Sequence, residues 1–180
     1  MQLQSTHLWR TGELEMFLLE PAHVGPDYVG WLADPDVNRY LESRFGVHTQ
    51  RSTRAFVQDC LDDPGTLFLG IRSKVLGLRH VGNIKLAPID SRHGLAEVGI
   101  LIGDRSAWGR GIASGAIAAL ARIAHDQLAL RKLTAGCYAS NIGSKKAFQR
   151  AGFEIEGERR NHCLLEGQPE ALVLLARWLP

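Results

Sequence analysis

The chain has 180 residues, room for one domain (1–180) with a core of its own. Hydrophobic residues make up 45% and charged residues 22%, an ordinary globular composition, and 21 basic against 19 acidic side chains leave a net charge of +2. That balance excludes a dedicated nucleic-acid or polybasic membrane binder.

Residues 1–10 carry no secretory pattern. The longest apolar run, 112–124, is interrupted by Arg122 and is too short to cross a bilayer. Cys60, Cys137 and Cys163 are odd in number and form no C-x-x-C pair. They read as reduced thiols of a cytoplasmic protein, with no structural metal site.

In chain order, 3–10 and 13–20 predict two strands around a Thr11-Gly12 turn. Residues 27–33 and 35–40 predict short helices. Thr49 predicts the cap of a helix to about Leu61, with Phe56, Val57 and Cys60 on one face. Strands follow at 67–72 and 81–87, then a turn at 87–94 and an apolar strand at 95–102 that contains Glu97. A loop with three glycines spans 103–111. The helix at 112–130 has apolar residues at helical spacing. A strand at 132–138 and a helix at 141–151 come next, the helix stopped by Gly152. Antiparallel strands at 153–158 and 171–178 end the chain, the last of them exposed for pairing across a homodimer. Strands mixed with segregated helices predict an α+β (mixed α/β) fold.

The loop Ser106-Ala107-Trp108-Gly109-Arg110-Gly111-Ile112-Ala113 lies between a strand and a long helix. Its glycines let a ligand approach the backbone. The helix start behind them offers free N–H groups and a partial positive charge, the chemistry of a pyrophosphate site. Ser114 breaks the dinucleotide fingerprint, the strand 132–138 ends on no acidic residue, and no G-K-[ST] follows the loop.

The segment Asn141-Ile142-Gly143-Ser144-Lys145-Lys146-Ala147-Phe148-Gln149-Arg150-Ala151-Gly152-Phe153 resembles the N-x-x-S/A…G-F segment of the GNAT acyl-CoA N-acyltransferase family. The glycine loop resembles that family's Q/R-x-x-G-x-G/A loop, and 96–102 resembles the strand before it. The motif-grade likeness covers 95–153. Within the family, Trp31-Leu32-Ala33-Asp34-Pro35-Asp36-Val37-Asn38-Arg39-Tyr40 and Trp108-Gly109-Arg110-Gly111 resemble the branch of ribosomal-protein N-terminal (Rim-type) and amino-sugar acetyltransferases.

The resemblance implies a mostly antiparallel sheet of about seven strands, with acetyl-CoA in a wedge between 95–102 and 132–138. By it, Ile100, Leu101 and Ile102 would pair with the pantetheine. Backbone N–H groups of Trp108, Gly109, Arg110, Gly111, Ile112 and Ala113 would hold the pyrophosphate. Asn141, Ser144, Lys146 and Phe148 join the cofactor set, and Arg110, Lys145 and Lys146 are candidates for its phosphates. Three positions depart from the pattern: Ser106 replaces Gln or Arg, Phe148 replaces a Tyr that protonates the thiolate, and Gly115 replaces Glu.

Acetyl transfer needs a neutral amine, although alkyl ammonium groups titrate near ~10, and it needs a donor for the oxyanion. Glu97 is the candidate base, with burial expected to raise its pKa; its alternative is an ion pair with Arg92 or Lys85. Ser144 is the candidate acid, and a backbone N–H near Leu101 the oxyanion donor. His80 and His93 are further base candidates, and Trp31 and Trp108 are stacking surfaces or core. Tyr40, Glu42, Ser43 and Arg44 fall where the family's first helices roof the acceptor site. The reading is an acetyl-CoA-dependent N-acetyltransferase working in a ternary complex. Its acceptor is a small-molecule amine such as an amino sugar, toward which Arg39, Tyr40 and Arg44 lean, or a peptide N-terminus. The rival is a non-catalytic acyl-CoA-binding or regulatory module on the same scaffold.

Overall fold

The structure is a computed structural model that describes residues 8–180. Most of the first expected strand therefore lies outside the described residues. What is described of it, β1 (Leu8–Thr11), turns through Gly12 into β2 (Leu14–Leu18). Pro26–Ala33 is α1, and Pro35–Asn38 is α2, capped by the Asp34 carboxylate on the Asp36 N–H. A 3-10 turn at Glu42–Phe45 follows. Then comes α3 (Gln50–Asp62), started by a reciprocal Thr49–Ser52 capping box. Val57 and Cys60 of α3 are buried, with Thr53 in the place expected of Phe56, which is 46% exposed and leans edge-on against Phe68.

The rest of the sheet is β3 (Leu67–Ser73), β4 (Arg79–Asp90), β5 (Leu95–Ile102), β6 (Lys132–Tyr138), β7 (Glu154–Leu165) and β8 (Gln168–Trp178). The eight strands, one more than expected, run in the order β1-β2-β3-β4-β5-β6-β8-β7. Every pairing is antiparallel except β5 with β6. β4 runs three residues past its expected end through a bulge, so the expected 87–94 turn shrinks. β8 is paired on both sides and is closed to a second copy; among the described residues the edge strands are β1 and β7. The charged run in β7 conceals its strand because solvent meets nearly every side chain.

Alternation divides the apolar residues between the two faces of the sheet. Leu14, Met16, Leu69, Ile71, Val98 and Leu133 pack on one face against α4 (Ile112–Leu128) and α5 (Ile142–Arg150). Phe17 and Phe68 face the other way, against Tyr28, Trp31, Leu32 and Val57 of α1 and α3. α4 stops two residues before its expected end, where Ala129 takes a left-handed conformation. Among the described residues no helix is long and apolar enough to cross a membrane.

His80, a base candidate from the sequence, belongs to this second core. Its ring meets Trp31 at 5.1 Å, Phe17 at 5.3 Å and Tyr28 at 6.1 Å, all at steep angles. Its Nε2 is 2.8 Å from Asn83 Oδ1 and 3.0 Å from Gly82 O. Burial holds the imidazole below its ordinary range; the bonds to Asn83 and Gly82 oppose that, and His23 and Arg72 reinforce it. The neutral ring is thus the folded form, while the unfolded ring takes a proton near ~6.5. Stability from this group is complete above that value and is lost as pH falls from it through the folded value. Thermal melts from pH 7.5 to 5.5 are expected to show a falling midpoint, and His80→Gln is expected to flatten the trend. Parallel curves for the two proteins would contradict it.

Candidate active site

β5 and β6 pair only at Leu95 with Lys132, Ala96 with Leu133 and Glu97 with Thr134. Beyond Glu97 the strands part, although β5 continues to Ile102 and β6 to Tyr138. A cavity of about 1040 Å³ opens in the gap. Its walls include Ile100, Leu101 and Ile102 of β5, Trp108, Gly109, Gly111, Ile112 and Ala113 of the glycine loop and α4, Asn141, Ser144, Lys146 and Phe148 of α5, and Tyr40, Glu42 and Arg44 of the roof. Glu97 lines it too. The sequence therefore brought one continuous cavity into view from four separate segments.

The edge of β5 is prepared for a strand-like ligand. Gly103 N–H donates to Val81 O at 2.9 Å, and Thr134 Oγ1 donates to Ala96 O at 3.4 Å. Antiparallel alternation then turns the backbone of Leu101 and Gly99 toward β4, and that of Ile100 and Ile102 toward the gap. Ile100 presents both its N–H and its C=O. The Ile102 carbonyl is already taken by the Trp108 indole Nε1 at 2.8 Å. Trp108 thus terminates the free edge, a part the sequence did not suggest. A Cβ built at Gly99 meets nothing within 4 Å, so β5 leaves bare backbone facing open space there.

The loop owes its shape to two left-handed glycines, Gly109 at φ +72 and Gly111 at φ +74. Gly111 caps α4 with no side chain on the first-turn N–H groups. Those of Ile112, Ala113 and Ser114 are left at the helix end for an anion. Trp108 N–H is spent on Arg105 O, so the cradle starts at Gly109 rather than Trp108. Ser106 turns back to the Asp104 carboxylate at 2.6 Å. Arg110 donates Nε to Ser106 O at 2.7 Å and is not part of the cavity wall; Arg44 in the roof and Lys146 and Arg150 on α5 are cations that are.

At the start of α5, Asn141 Oδ1 accepts the Ser144 N–H at 3.1 Å. This cap holds the Ser144 hydroxyl on the wall, where it has no hydrogen-bond partner among the described residues. Phe148 is 2% exposed and packs edge-on against Phe153 at 5.0 Å, so it supplies surface and no proton.

Glu97 is exposed, contrary to the expected burial. Ladder pairing leaves its side chain on the roof-facing side of β5 with Gly99 and Leu101. It forms no ion pair among the described residues, which removes the Arg92 and Lys85 alternative. His80 is enclosed under α1 and His93 sits in the 91–94 turn; neither lines the cavity, so neither is placed as a base. Trp31 is core.

Tyr138, missed in the sequence, ends β6 at the mouth. Burial and a hydrogen bond to the Glu42 carboxylate push its hydroxyl up to about 12, against the opposing Arg44 guanidinium. His162 and Cys163 also reach the wall, where β7 shifts register between Arg159 and Cys163 and Asn161 adopts φ +50. A bulge of this kind re-aims side chains, and a charged edge strand gives no periodic signal of it. Arg39, expected to lean toward an amino-sugar acceptor, is paired with Glu166 at 3.1 Å.

A family model described as acetyltransferase (GNAT) domain matches residues 14–154. No curated protein matches the chain in sequence. Solved structures do match its fold. RimL, a ribosomal L7/L12 alpha-N-protein acetyltransferase in complex with coenzyme A, is 21% identical with a TM-score of 0.83, covering 96% of this chain and 98% of its own. A spermidine N-acetyltransferase from Vibrio cholerae, in complex with CoA and spermine, is 16% identical with a TM-score of 0.81, at 92% and 95% coverage. The microcin C7 self-immunity acetyltransferase MccE, in complex with acetyl-CoA and AMP, is 19% identical with a TM-score of 0.80, at 94% and 94%.

Proposed function

The chain belongs to the GNAT acetyltransferase family, and on that premise we propose that it moves the acetyl group of acetyl-CoA to a primary amine, by direct attack in a ternary complex. One observation carries this reading: β5 and β6 part beside a glycine loop, so that a free strand edge and an uncapped helix start share one cavity. The groups present fit the cofactor. Ile100 offers backbone for its pantetheine, and Ile112 and Ala113 offer N–H groups for its pyrophosphate. Lys146 offers a cation for its phosphates. The three free cysteines agree with a cytoplasmic setting.

Bound acetyl-CoA supplies an activated thioester. Glu97 takes the ammonium proton and passes it to solvent, then accepts the second proton, which the neutral amine gives up as its bond to carbon forms. A backbone N–H at the β5 edge steadies the developing oxyanion. Ser144 hands its hydroxyl proton to the departing sulfur and regains one from solvent; no enzyme-bound acetyl group is needed.

The acceptor end supports a cationic acceptor. Glu97 is unpaired there, and the nearby arginines are neutralised or spent. Relatives whose names give spermidine or a ribosomal protein agree with an amine. The test is thiol release from acetyl-CoA in the presence of butylamine, glucosamine and a hexapeptide with a free N-terminus. Amine-dependent release supports the reading; none with all three, despite cofactor binding, overturns it in favour of a binding module.

A further inference from the structure

The roof meets β6 through one polar knot. Tyr138 donates its hydroxyl to Glu42 Oε1 at 2.6 Å and accepts from Arg44 Nη2 at 2.9 Å. The same guanidinium donates to Leu41 O at 2.7 Å and Leu164 O at 2.9 Å, and its side chain is 13% exposed. Arg44 is therefore committed to the protein and has little left for a substrate. Glu42 is in the opposite condition. Its Oε1 is held by Tyr138 and lies 3.6 Å from Arg44 Nη1, yet the side chain is 74% exposed and lines the cavity, and its Oε2 makes no bond among the described residues. The Tyr40 ring stands 5.8 Å from that of Tyr138, tilted by 50°.

The two rings already face Arg39 and Arg44, so the group left to receive an ammonium is the Glu42 carboxylate, anchored on the protein through Oε1 and open to the cavity at Oε2. Asp36 also lines the cavity, but Arg105 holds it at 2.8 Å.

We propose that Tyr138 is a positioning residue that aims Glu42 to seat the acceptor as an unhindered primary alkylammonium, before Glu97 removes its proton. The inference rests on the acetyl-transfer reading above. It assigns the acceptor to the class of cationic alkylamines and away from phosphate-bearing amines. Arg39, a roof-side cation that could otherwise meet a phosphate, is tied to Glu166.

The test uses the whole protein, butylamine and acetyl-CoA, with thiol release as readout. Tyr138→Phe removes only the hydroxyl. It is expected to raise the KM for butylamine about 10-fold, the loss of one charge-assisted hydrogen bond. The kcat and the KM for acetyl-CoA are expected to stay within about twofold. Glu42→Gln is expected to raise the same KM at least as far. The double variant is expected to be no worse than Glu42→Gln alone, because Tyr138 acts through Glu42. A merely structural tyrosine would lower kcat and cofactor affinity together and would add in full to Glu42→Gln. That result, or an unchanged KM in Tyr138→Phe, overturns the proposal. Failure of wild-type protein to acetylate butylamine while binding acetyl-CoA overturns the seat alone. Failure to bind acetyl-CoA takes down the acetyl-transfer reading, and the seat with it.

Discussion

Glu97→Gln is expected to lower kcat for amine acetylation by about 10²- to 10⁴-fold near neutral pH, the range that a positioned general base contributes. The substitution keeps size and polarity and removes only the ability to take a proton. Glu97 is exposed and unpaired among the described residues, so no buried charge is orphaned and the fold should hold. Affinity for acetyl-CoA should change little, because the cofactor edge of β5 is backbone. A pH profile sharpens the expectation. Alkyl ammonium groups lose their own proton near ~10. The gap between wild type and variant should therefore narrow as pH rises toward that value. A variant with wild-type kcat at pH 7 would remove Glu97 from the mechanism. A variant that binds acetyl-CoA normally yet turns over slowly would separate an enzyme from a binding module.

Gly111→Val is expected to weaken acetyl-CoA binding by at least about 10-fold. Gly111 sits at φ +74, where a side chain costs about 1–2 kcal/mol and a β-branched one more. An added Cβ there would meet nothing closer than Ser114 Oγ at 3.9 Å, so the protein itself leaves the space open. The valine would fill the place where phosphate oxygens approach the N–H groups of α4. Gly77 is the control. It has φ +69, has nothing within 4 Å of an added Cβ, and lies outside the cavity. Gly77→Val should lower the melting temperature by a similar few degrees and leave the affinity unchanged. Equal loss of affinity in both variants would mean that strain, and not the cradle, carries the effect.

Much of the fold was legible because its signals are local. β5 and β6 fall on their expected bounds, since mostly apolar runs between turns mark strands. Gly111 and Asn141 mark helix starts by their chemistry alone. The hidden parts depend on contacts between distant segments. Glu42 and Tyr138 are separated by 96 positions, and nothing in either neighbourhood announces their hydrogen bond. The sequence named Arg44 as substrate-facing, whereas folding commits it to Leu164 and Tyr138. β7 escaped notice beyond residue 158 because an edge strand bathed in solvent needs no alternation. The exposure of Glu97 was hidden because an apolar strand looks the same whether its open face meets core or cavity.

The central claim is that the gap between β5 and β6 holds acetyl-CoA. Calorimetric titration of the purified protein with acetyl-CoA, with NADH and ATP as controls, tests it most directly. Saturable binding of acetyl-CoA alone, weakened in Gly111→Val and kept in Gly77→Val, is the result this account predicts. Absence of acetyl-CoA binding, or equal binding of all three nucleotides, would contradict it.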